Sequence, residues 1–479
     1  MSKKYETVIG LEVHVQLATK SKAFCGCSTA FGAEPNTQVC PVCLGLPGVL
    51  PVYNKKAFEY AIKVAIALNC DIQNIVKFDR KNYYYPDLPK NYQISQYDMP
   101  LAYNGKITIM NEDGSSKDIG ITRAHLEEDA GKLLHDEEKG FSYIDLNRTG
   151  TPLQEIVSEP DIRSPQEAYE FLVTVKQTIK YLGVSDCNME EGSLRCDANI
   201  SLREKGAEKL GNKVEIKNLN SFKAVRDALA FEETRQEEVL EEGGKIVQET
   251  RLWDESKGAT ESMRTKEEAQ DYRYFPEPDL VPFEVQSEMI EGVRKTMPEL
   301  PAEKIKRFSG KYDLSPKDIE VLTAEKDIAD FFEQMIAKGS SDKSACNWVK
   351  GEIMMEMNER GTDICGLGIS AEQTSNIVAM VESGKISRLV AKDVLRESIE
   401  KKKDPEEIVK EKGLEQISDQ DELDSIILKV ISENEKSVND FKGGKEAALS
   451  FLVGQVMSRT KGKANPKLTG EMLKKKILG

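Results

Sequence analysis

Apolar and polar residues alternate strictly in several segments, and this pattern constrains the fold of the chain more than any other feature. Every second residue of segment 9–17 is apolar, whereas Glu12 and His14 fall on the opposite, polar face. Segments 194–203 and 213–217 alternate in the same way. Such strands belong to a sheet that is covered on one side only. Because long connections separate the segments, we expect an α+β fold with a largely antiparallel sheet rather than a doubly wound parallel sheet.

Apolar residues at helical spacing predict helices between these strands. In the first part of the chain we expect helices over 56–68, 168–182 and 221–241. Ser164 followed by Pro165 is typical of a helix start, because serine caps the first amides and proline is preorganised for the first helical position.

Proline-rich and lysine-rich segments suggest two domain boundaries. The segment 276–301 contains several prolines and is typical of a linker, and beyond it the apolar spacing is helical. The sequence Lys401–Pro405 interrupts the helical part once more. A chain of 479 residues is long enough for about three domains. We therefore predict an α+β domain over 1–290 and two all-helical domains over 291–405 and 406–479.

Four of the nine cysteines lie close together near the N-terminus. Two close pairs are separated by twelve residues, which allows four thiolates to occupy the corners of a tetrahedron, as in structural zinc sites. An iron–sulfur cluster and a group of reduced buried thiols are the alternatives. The other five cysteines are expected in the core. The candidate zinc ligands are Cys25, Cys27, Cys40 and Cys43.

The balance of charge excludes some classes of protein and singles out the C-terminal segment. A formal net charge of −15 argues against a protein that coats nucleic acid. Residues 450–479, however, contain seven basic residues and one acidic residue, and this net charge of +6 leaves −21 for residues 1–449. A basic loop suits contact with nucleic-acid phosphates, and a solvated helix face is the alternative. The candidate nucleic-acid-binding residues are Arg459, Lys461, Lys463 and Lys467.

The sequence contains neither a signal-peptide core nor an apolar run long enough for a membrane helix. We therefore expect a cytoplasmic protein without a membrane partner, in a compartment where thiols stay reduced. This expectation favours a metal site over disulfide bonds for the clustered cysteines.

Acidic and histidine residues on the predicted strands form a candidate metal site. Glu12 and His14 share one strand face, His125 precedes a second acidic cluster, and Glu215 lies on the third alternating strand. Neighbouring carboxylates repel one another unless a cation neutralises them, and magnesium is the natural occupant of such a site. A polar strand face that is only solvated is the alternative. The sequence contains no P-loop and no kinase glycine loop, so no motif defines an ATPase.

Three consecutive tyrosines, Tyr83–Tyr85, closely follow Lys81. They cannot all be buried in one element, so some are expected to face a cavity or a ligand, where aromatic rings stack or hydrogen-bond. Segment 271–276 has a similar composition. A loop whose aromatic rings only pack is the alternative.

Seven longer motifs extend over the whole chain. They are residues 9–17, 78–83, 145–152, 190–199, 217–222, 271–279 and 451–455. With these motifs the chain resembles the B subunit of bacterial aspartyl/glutamyl-tRNA(Asn/Gln) amidotransferase (GatB). The resemblance covers essentially the full length, and several long motifs in the same order make it specific.

The resemblance implies a cradle domain at 1–290, a helical domain and a helical tail domain that act in one ligase. The cradle would phosphorylate the side-chain carboxylate of Glu-tRNA(Gln) or Asp-tRNA(Asn) with ATP and magnesium. Ammonia would arrive through a channel from a glutaminase A subunit and give Gln-tRNA(Gln) or Asn-tRNA(Asn), while a small C subunit would hold A and B together. The helical and tail domains would hold the tRNA, and the sequence does not distinguish between the two tRNAs.

The resemblance also assigns roles to individual residues. Its magnesium ligands correspond to Glu12, His14, Glu128 and Glu215. Strict alternation from His125 favours Glu127, so a bend would be needed to bring Glu128 to the same face. The resemblance supports structural zinc at the four clustered cysteines. Charge and placement suggest that three basic residues contact phosphate groups: Arg195, Lys217 and Lys81.

Two other functions are compatible with these features. One is a zinc-stabilised tRNA-binding protein without its own catalysis, and the other is a free-standing ATP-dependent amide ligase. The sequence contains no glutaminase nucleophile constellation, which favours a chain that works with a partner over the free-standing ligase. The carboxylate-rich strand face favours an enzyme over a pure binding protein.

Overall fold

A computed structural model describes most of the chain and divides it into two compact units. The described residues are 4–136, 139–265, 272–414, 420–460, 464 and 466–479. One unit comprises Met1–Leu300 and the other Pro301–Gly479. The boundary predicted at residue 290 lies inside a helix of the first unit. Among the described residues, no helix is long and apolar enough to span a membrane.

The first unit contains the three β-strands that the alternating segments predict, together with others that they do not. The strands are β1 (Tyr5–Gln16), β2 (Asp71–Ile72), β3 (Ile75–Val76), β4 (Asp79–Asn82), β5 (Tyr92–Ser95), β6 (Ala102–Met110), β7 (Ser116–Glu128), β8 (Lys132–Asp136), β9 (Phe141–Asp145), β10 (Pro152–Ser158), β11 (Leu194–Glu204), β12 (Val214–Lys217), β13 (Glu249–Asp254), β14 (Ala259–Thr265), β15 (Phe275–Pro276) and β16 (Phe283–Glu284).

Nine of these strands form one sheet, in the order β14-β13-β12-β11-β1-β10-β7-β6-β2. Adjacent strands are antiparallel except for β12 and β13, which run parallel. A second sheet has the order β15-β4-β5, and β16-β3 and β8-β9 form two-stranded pairs. The predicted α+β fold with a largely antiparallel sheet is therefore confirmed.

Helices cover one face of the large sheet. The helices of this unit are α1 (Lys55–Ala67), α2 (Pro165–Leu182), α3 (Phe222–Glu241) and α4 (Ser287–Arg294). Leu11 of β1 packs in a buried apolar cluster with Phe171 of α2 and Leu229 of α3. The side chains of Ser164 and Ser221 cap α2 and α3 by accepting hydrogen bonds from backbone amides. The apolar half of each alternating strand is thus buried, and the polar half faces the other way.

The segment 276–301, which its prolines predict to be a linker, belongs up to residue 300 to the fold of the first unit instead. β16 pairs with β3, and α4 packs against α1. Val285 and Val293 are buried in an apolar cluster with Phe58 of α1. The linker interpretation is wrong because a two-residue strand leaves no recognisable pattern in a sequence.

The second unit consists of helices, and its described residues contain no strand. A π-helical turn, Val349–Ile353, joins two of them. The helices are α5 (Pro301–Lys311), α6 (Pro316–Thr323), α7 (Lys326–Ala337), α8 (Asp342–Trp348), α9 (Met354–Arg360), α10 (Ala371–Glu382), α11 (Arg388–Lys401), α12 (Pro405–Lys412), α13 (Gln420–Glu433), α14 (Glu435–Lys442), α15 (Glu446–Arg459) and α16 (Pro466–Leu478).

Two separate apolar clusters lie in the second unit. One is formed by residues between Phe308 and Val409, and the other by residues between Leu423 and Ile477. The boundary predicted near residue 405 lies at the start of α12, yet α12 contributes its apolar residues to the first cluster. We therefore propose that the two helical domains are divided after α12.

Candidate functional site

The face of the large sheet that is turned away from α2 and α3 carries polar residues from four adjacent strands. His14 of β1 is paired in register with Glu155 of β10, which in turn is paired with His125 of β7. Glu12 is paired with Asp197 of β11. Because directly opposed residues of antiparallel strands point to the same side of the sheet, these side chains share one face.

Three strands place a histidine and two glutamates around one point. One ligand atom from each of His14, Glu127 and Glu155 lies within 4.8 Å of the other two. His14 Nε2 is 3.2 Å from Glu155 Oε2, and His125 Nε2 is 3.4 Å from Glu127 Oε1. Both glutamates are buried, whereas the His14 side chain is 19% exposed. We call these three residues the His–Glu cluster, and its donors can hold a divalent cation.

Charges around the His–Glu cluster keep both of its glutamates ionised. Burial opposes ionisation of Glu127, but the charge of Lys81 and the hydrogen bond with His125 prevail and lower its pKa to about 2. Burial also opposes ionisation of Glu155, yet the two neighbouring histidines lower its pKa. For His14, burial disfavours the charged form, but the hydrogen bond with Glu155 prevails and raises its pKa. Charged carboxylates are the ligands that a hard cation requires.

Glu128 points away from this cluster. Its Oε1 accepts a hydrogen bond from the Ile94 amide at 2.9 Å and forms an ion pair with Lys90. The end of β7 pairs with β10 residue by residue, so the bend that would bring Glu128 toward His14 is not present there. Alternation along β7 directs Glu127 into the cluster instead. The geometry thus favours Glu127 over Glu128 as the ligand from β7.

Glu12 and Glu215 belong to a second acidic group on the same face. Asn199 Nδ2 donates to Glu12 Oε1 at 3.1 Å, and Lys217 Nζ lies 3.1 Å from Glu215 Oε1 and 2.6 Å from Asp197 Oδ2. Burial, followed by the charges of nearby carboxylates, raises the pKa of Glu12. Burial opposes ionisation of Glu215, but Lys217 lowers its pKa. A cation close to Glu12 would relieve the repulsion among these carboxylates.

Several polar atoms on this face are buried without a partner among the described residues, and two of them lie beside the acidic groups. None of the described residues hydrogen-bonds to His125 Nδ1 or Asn199 Oδ1. Buried polar atoms are almost always paired in folded proteins, so unpaired atoms are expected where a polar ligand completes a site. The donor set consists of carboxylates and one imidazole, and it therefore fits a hard divalent cation such as magnesium.

A buried carboxylate beyond the end of β7 fixes Arg195. Arg195 Nη2 is 2.9 Å from Asp129 Oδ1, and Arg148 Nη2 is 3.3 Å from the same oxygen. Gln16 donates to the other oxygen of Asp129. Burial opposes ionisation of Asp129, but the two guanidinium charges prevail and lower its pKa. Because the Arg195 side chain is 37% exposed, its fixed positive charge is accessible to an anionic ligand.

Lys81 lies among tyrosines at the border of the His–Glu cluster. Its Nζ is 5.1 Å from the ring centre of Tyr272 and 5.8 Å from that of Tyr83. Burial disfavours the charge on Lys81, but the glutamates of the cluster prevail and raise its pKa. Tyr84 and Tyr85 are exposed, as expected if the three consecutive tyrosines cannot all be buried. Residue 271, which begins the related aromatic segment, lies outside the described residues.

The four candidate zinc ligands converge at one point near the N-terminus. The four Sγ atoms all lie within 4.8 Å of one another. The Cys40 amide donates to Cys43 Sγ at 3.1 Å. Four thiols at this spacing fit a tetrahedral soft-metal site, and zinc is the usual occupant. Four of the other cysteines pack in apolar clusters, but Cys365 is exposed, contrary to the core position expected for it. The converging residues are Cys25, Cys27, Cys40 and Cys43.

The C-terminal basic residues are only partly described. Arg459 forms an ion pair with Glu433, with Nη1 3.3 Å from Oε1. Lys461 and Lys463 lie outside the described residues, and Lys467 lies in the first turn of α16. A tRNA-binding role for these residues therefore stays a prediction.

Two family models together match most of the chain. Residues 7–291 match the GatB/GatE catalytic domain, and residues 330–477 match the GatB domain. The chain belongs to the GatB family. The segment that matches the GatB/GatE catalytic domain contains both the His–Glu cluster and the four converging cysteines.

Relatives that are similar over their full length share one protein name. The chain is 56% identical over 478 residues to the B subunit of aspartyl/glutamyl-tRNA(Asn/Gln) amidotransferase from Carboxydothermus hydrogenoformans, with 99% of each chain covered. Identity to the protein of that name from Caldanaerobacter subterraneus subsp. tengcongensis is 58% over 474 residues, with 99% covered. Identity to the B subunit from Thermodesulfovibrio yellowstonii is 54% over 470 residues, with 98% of each chain covered. The GatB resemblance seen in the motifs is thereby confirmed.

Sequence reasoning missed two acidic residues of this candidate site. Glu155 carries no signal of its own in the sequence, because segment 152–158 is buried along almost its whole length and therefore does not alternate. Asp129 follows the end of β7, where no strand pattern indicates its direction. Only the register of the sheet reveals that Glu155 lies between His14 and His125.

Proposed function

We propose that the chain acts as the B subunit of a tRNA-dependent amidotransferase and activates a side-chain carboxylate with ATP. The observation that carries this proposal is the His–Glu cluster beside Lys81 and Arg195, inside the segment that matches the GatB/GatE catalytic domain. The names of the relatives contain the aspartyl and glutamyl groups and the tRNAs for asparagine and glutamine. The substrates would accordingly be Glu-tRNA(Gln), Asp-tRNA(Asn) or both.

The chemistry must convert a carboxylate into a better electrophile. In the first step an oxygen of the side-chain carboxylate attacks the γ-phosphorus of ATP, the bond to the bridging oxygen breaks, and ADP leaves. In the second step ammonia attacks the acyl carbon, the carbon–oxygen bond breaks, and inorganic phosphate and a proton leave. The products are Gln-tRNA(Gln) or Asn-tRNA(Asn).

Acidic residues on the sheet face would hold a magnesium ion. In this proposal Glu127 takes the position that the resemblance gave to Glu128, because Glu128 is engaged with Lys90. The bound ion would neutralise negative charge on the nucleotide phosphates. The ligands would come from Glu12, His14, Glu127, Glu155 and Glu215.

Basic residues of the chain would orient the phosphates. Arg195 is fixed by Asp129, and Lys217 is fixed by Asp197 and Glu215. Lys81 lies beside Tyr272 and interacts with Glu127 of the His–Glu cluster. Positive charges held in place before the reaction stabilise the charge that develops during phosphoryl transfer, because they need no reorganisation.

Ammonia has to reach the acyl carbon unprotonated and shielded from water. We therefore propose that a glutaminase A subunit delivers it through a channel and that a small C subunit holds A against this chain. Such a complex would act in the cytoplasm, where aminoacyl-tRNAs are used, and the four cysteines would bind structural zinc. The tail domain would contact the tRNA backbone through Arg459, Lys461, Lys463 and Lys467.

Reconstitution tests the proposal. The chain is combined with its A and C partners, glutamine, ATP and either Glu-tRNA(Gln) or Asp-tRNA(Asn), and the amino acid on the tRNA is identified after release. We expect amidation that requires ATP and all three proteins. Glu112→Gln, at an exposed turn, is the control variant and should keep full activity. If the complete complex binds tRNA without amidating it, the chain is a zinc-stabilised tRNA-binding protein and the proposal fails.

A further inference from the structure

Lys22 is a deeply buried lysine beside the four converging cysteines. Its side chain is only 1% exposed and is among the largest fully buried side chains of the described residues. Nζ donates to the Gln38 carbonyl at 2.7 Å and to the Leu146 carbonyl at 3.4 Å, and it lies 3.6 Å from Cys43 Sγ. Of these three partners, only the sulfur can carry a full negative charge.

Lys22 has no carboxylate partner among the described residues. The nearby Glu128, which lies across Gly150 from Lys22, is paired with Lys90 instead. A buried ammonium is costly unless a negative charge compensates it, and a buried lysine therefore almost always has such a partner. We therefore expect the compensating negative charge at Cys43 Sγ, the one partner of Lys22 that can carry it.

A metal bound by the four cysteines would supply this negative charge. Four thiolates outweigh the charge of one divalent ion, so a tetracysteine zinc site is anionic as a whole. Groups that hydrogen-bond to the ligands of a metal tune its affinity and hold the ligands in place. The Cys40 amide is one donor to Cys43 Sγ, and the Lys22 ammonium is placed as a second, charged donor.

We propose that Lys22 is the outer-sphere cation of the tetracysteine metal site, where its ammonium offsets the negative charge of the metal–thiolate centre. The inference rests on the proposed zinc site. The same ammonium bridges three segments, because Gln38 lies between the cysteine pairs, Cys43 is a ligand, and Leu146 lies between β9 and β10. Lys22 is therefore a positioning residue that ties the metal site to the loop before β10.

Replacement of Lys22 by methionine, which keeps the length of the side chain and removes its charge, tests the inference. The full-length protein is equilibrated with zinc and a competing chromogenic chelator, and its affinity for zinc is obtained from the zinc that the protein retains. We expect Lys22→Met to bind zinc at least about tenfold more weakly than the wild type, as is typical when an outer-sphere partner is lost. Lys20→Met removes an exposed lysine two residues away and should leave the affinity unchanged.

Thermal unfolding with and without zinc separates a charge effect from a packing effect. If Lys22 compensates the metal–thiolate centre, Lys22→Met lowers the unfolding temperature of the zinc-loaded protein but not that of the metal-free protein. If Lys22 only fills space, both forms lose stability alike, and the inference is refuted. Should Lys22→Met not fold, Lys22→Arg and Lys22→Gln replace it. The inference is supported if the charged arginine variant retains zinc and the uncharged glutamine variant does not, and it is refuted if both retain zinc equally.

The outcomes also separate this inference from the proposed zinc site. A wild-type protein that binds zinc, together with a Lys22→Met variant that binds it with wild-type affinity, overturns the role of Lys22 and leaves the zinc site intact. A wild-type protein that takes up neither zinc nor cobalt under reducing conditions refutes the zinc site, and the inference fails with it.

Discussion

Glutamine substitution at the two adjacent glutamates of β7 separates a catalytic residue from a structural one. Glu127→Gln keeps the shape of the side chain but removes the charge from a cluster whose donor atoms lie within 4.8 Å of one another. At about 4 Å and an effective dielectric constant near 20, one unit charge contributes about 4 kcal/mol. Since about 1.4 kcal/mol corresponds to a factor of ten in rate, we expect kcat/KM to fall about a thousandfold.

Glu128→Gln should have the opposite profile. The side chains of Glu128 and Lys90 are 1% and 7% exposed, so the substitution leaves a buried ammonium without its counter-charge. Loss of one partner of a buried ion pair typically costs about 3–5 kcal/mol. We therefore expect a lower free energy of unfolding but near wild-type turnover per folded molecule.

Two assays on each variant decide the matter. Urea unfolding followed by circular dichroism reports the free energy of unfolding, and amidation by the reconstituted complex at saturating ATP reports turnover. The reasoning is refuted if Glu128→Gln folds with wild-type stability and is inactive while Glu127→Gln stays active. That result would assign the ligand to Glu128.

Three further predictions concern other parts of the chain. Asp129→Asn releases Arg195 from its fixed position, so the KM for ATP should rise. Expressed as RT ln of the KM ratio, this rise should exceed the loss in the free energy of unfolding. Unchanged kinetics would contradict this role. Glu232 is buried against Arg235 and Arg251. Burial opposes its ionisation, but hydrogen bonds from Arg235, Thr260 and Gln236 prevail and lower its pKa. Glu232→Gln should therefore lower the free energy of unfolding at pH 7 by about 2 kcal/mol, as measured by urea unfolding. The difference between variant and wild type should shrink as the pH falls below the ordinary carboxyl pKa of about 4.5, because the protonated wild type loses the same contribution. A difference that stays constant down to acidic pH would contradict this prediction. Deletion of residues 415–479 should weaken tRNA binding and reduce its salt dependence in filter-binding assays; equal affinity would contradict the role of the tail.

Local patterns in the sequence predicted those features that depend on neighbouring residues alone. Strict alternation placed Glu12 and His14 on one face, and the capping serine at 164 marked the start of α2. The spacing of the cysteines likewise predicted their convergence, since a short loop limits how far two pairs can separate. Alternation from His125 also pointed to Glu127, whereas the resemblance pointed to Glu128.

Features that depend on long-range pairing were not predictable. Lys81 and Tyr272 meet because β15 pairs with β4, although more than half of the first unit separates them in the sequence. Glu155 reaches His14 only through the register of β10 against β1. Register is set by the packing of the complete sheet, which no segment of the sequence contains by itself.

Isotope transfer from the substrate carboxylate tests the central claim most directly. Glu-tRNA(Gln) labelled with ¹⁸O in its side-chain carboxylate is amidated by the reconstituted complex with unlabelled ATP, and the inorganic phosphate is analysed by mass spectrometry. If the chain phosphorylates the carboxylate, each amidation transfers one carboxylate oxygen to phosphate, and ¹⁸O appears there in proportion to Gln-tRNA(Gln). Amidated product accompanied by phosphate without ¹⁸O would contradict activation through phosphorylation.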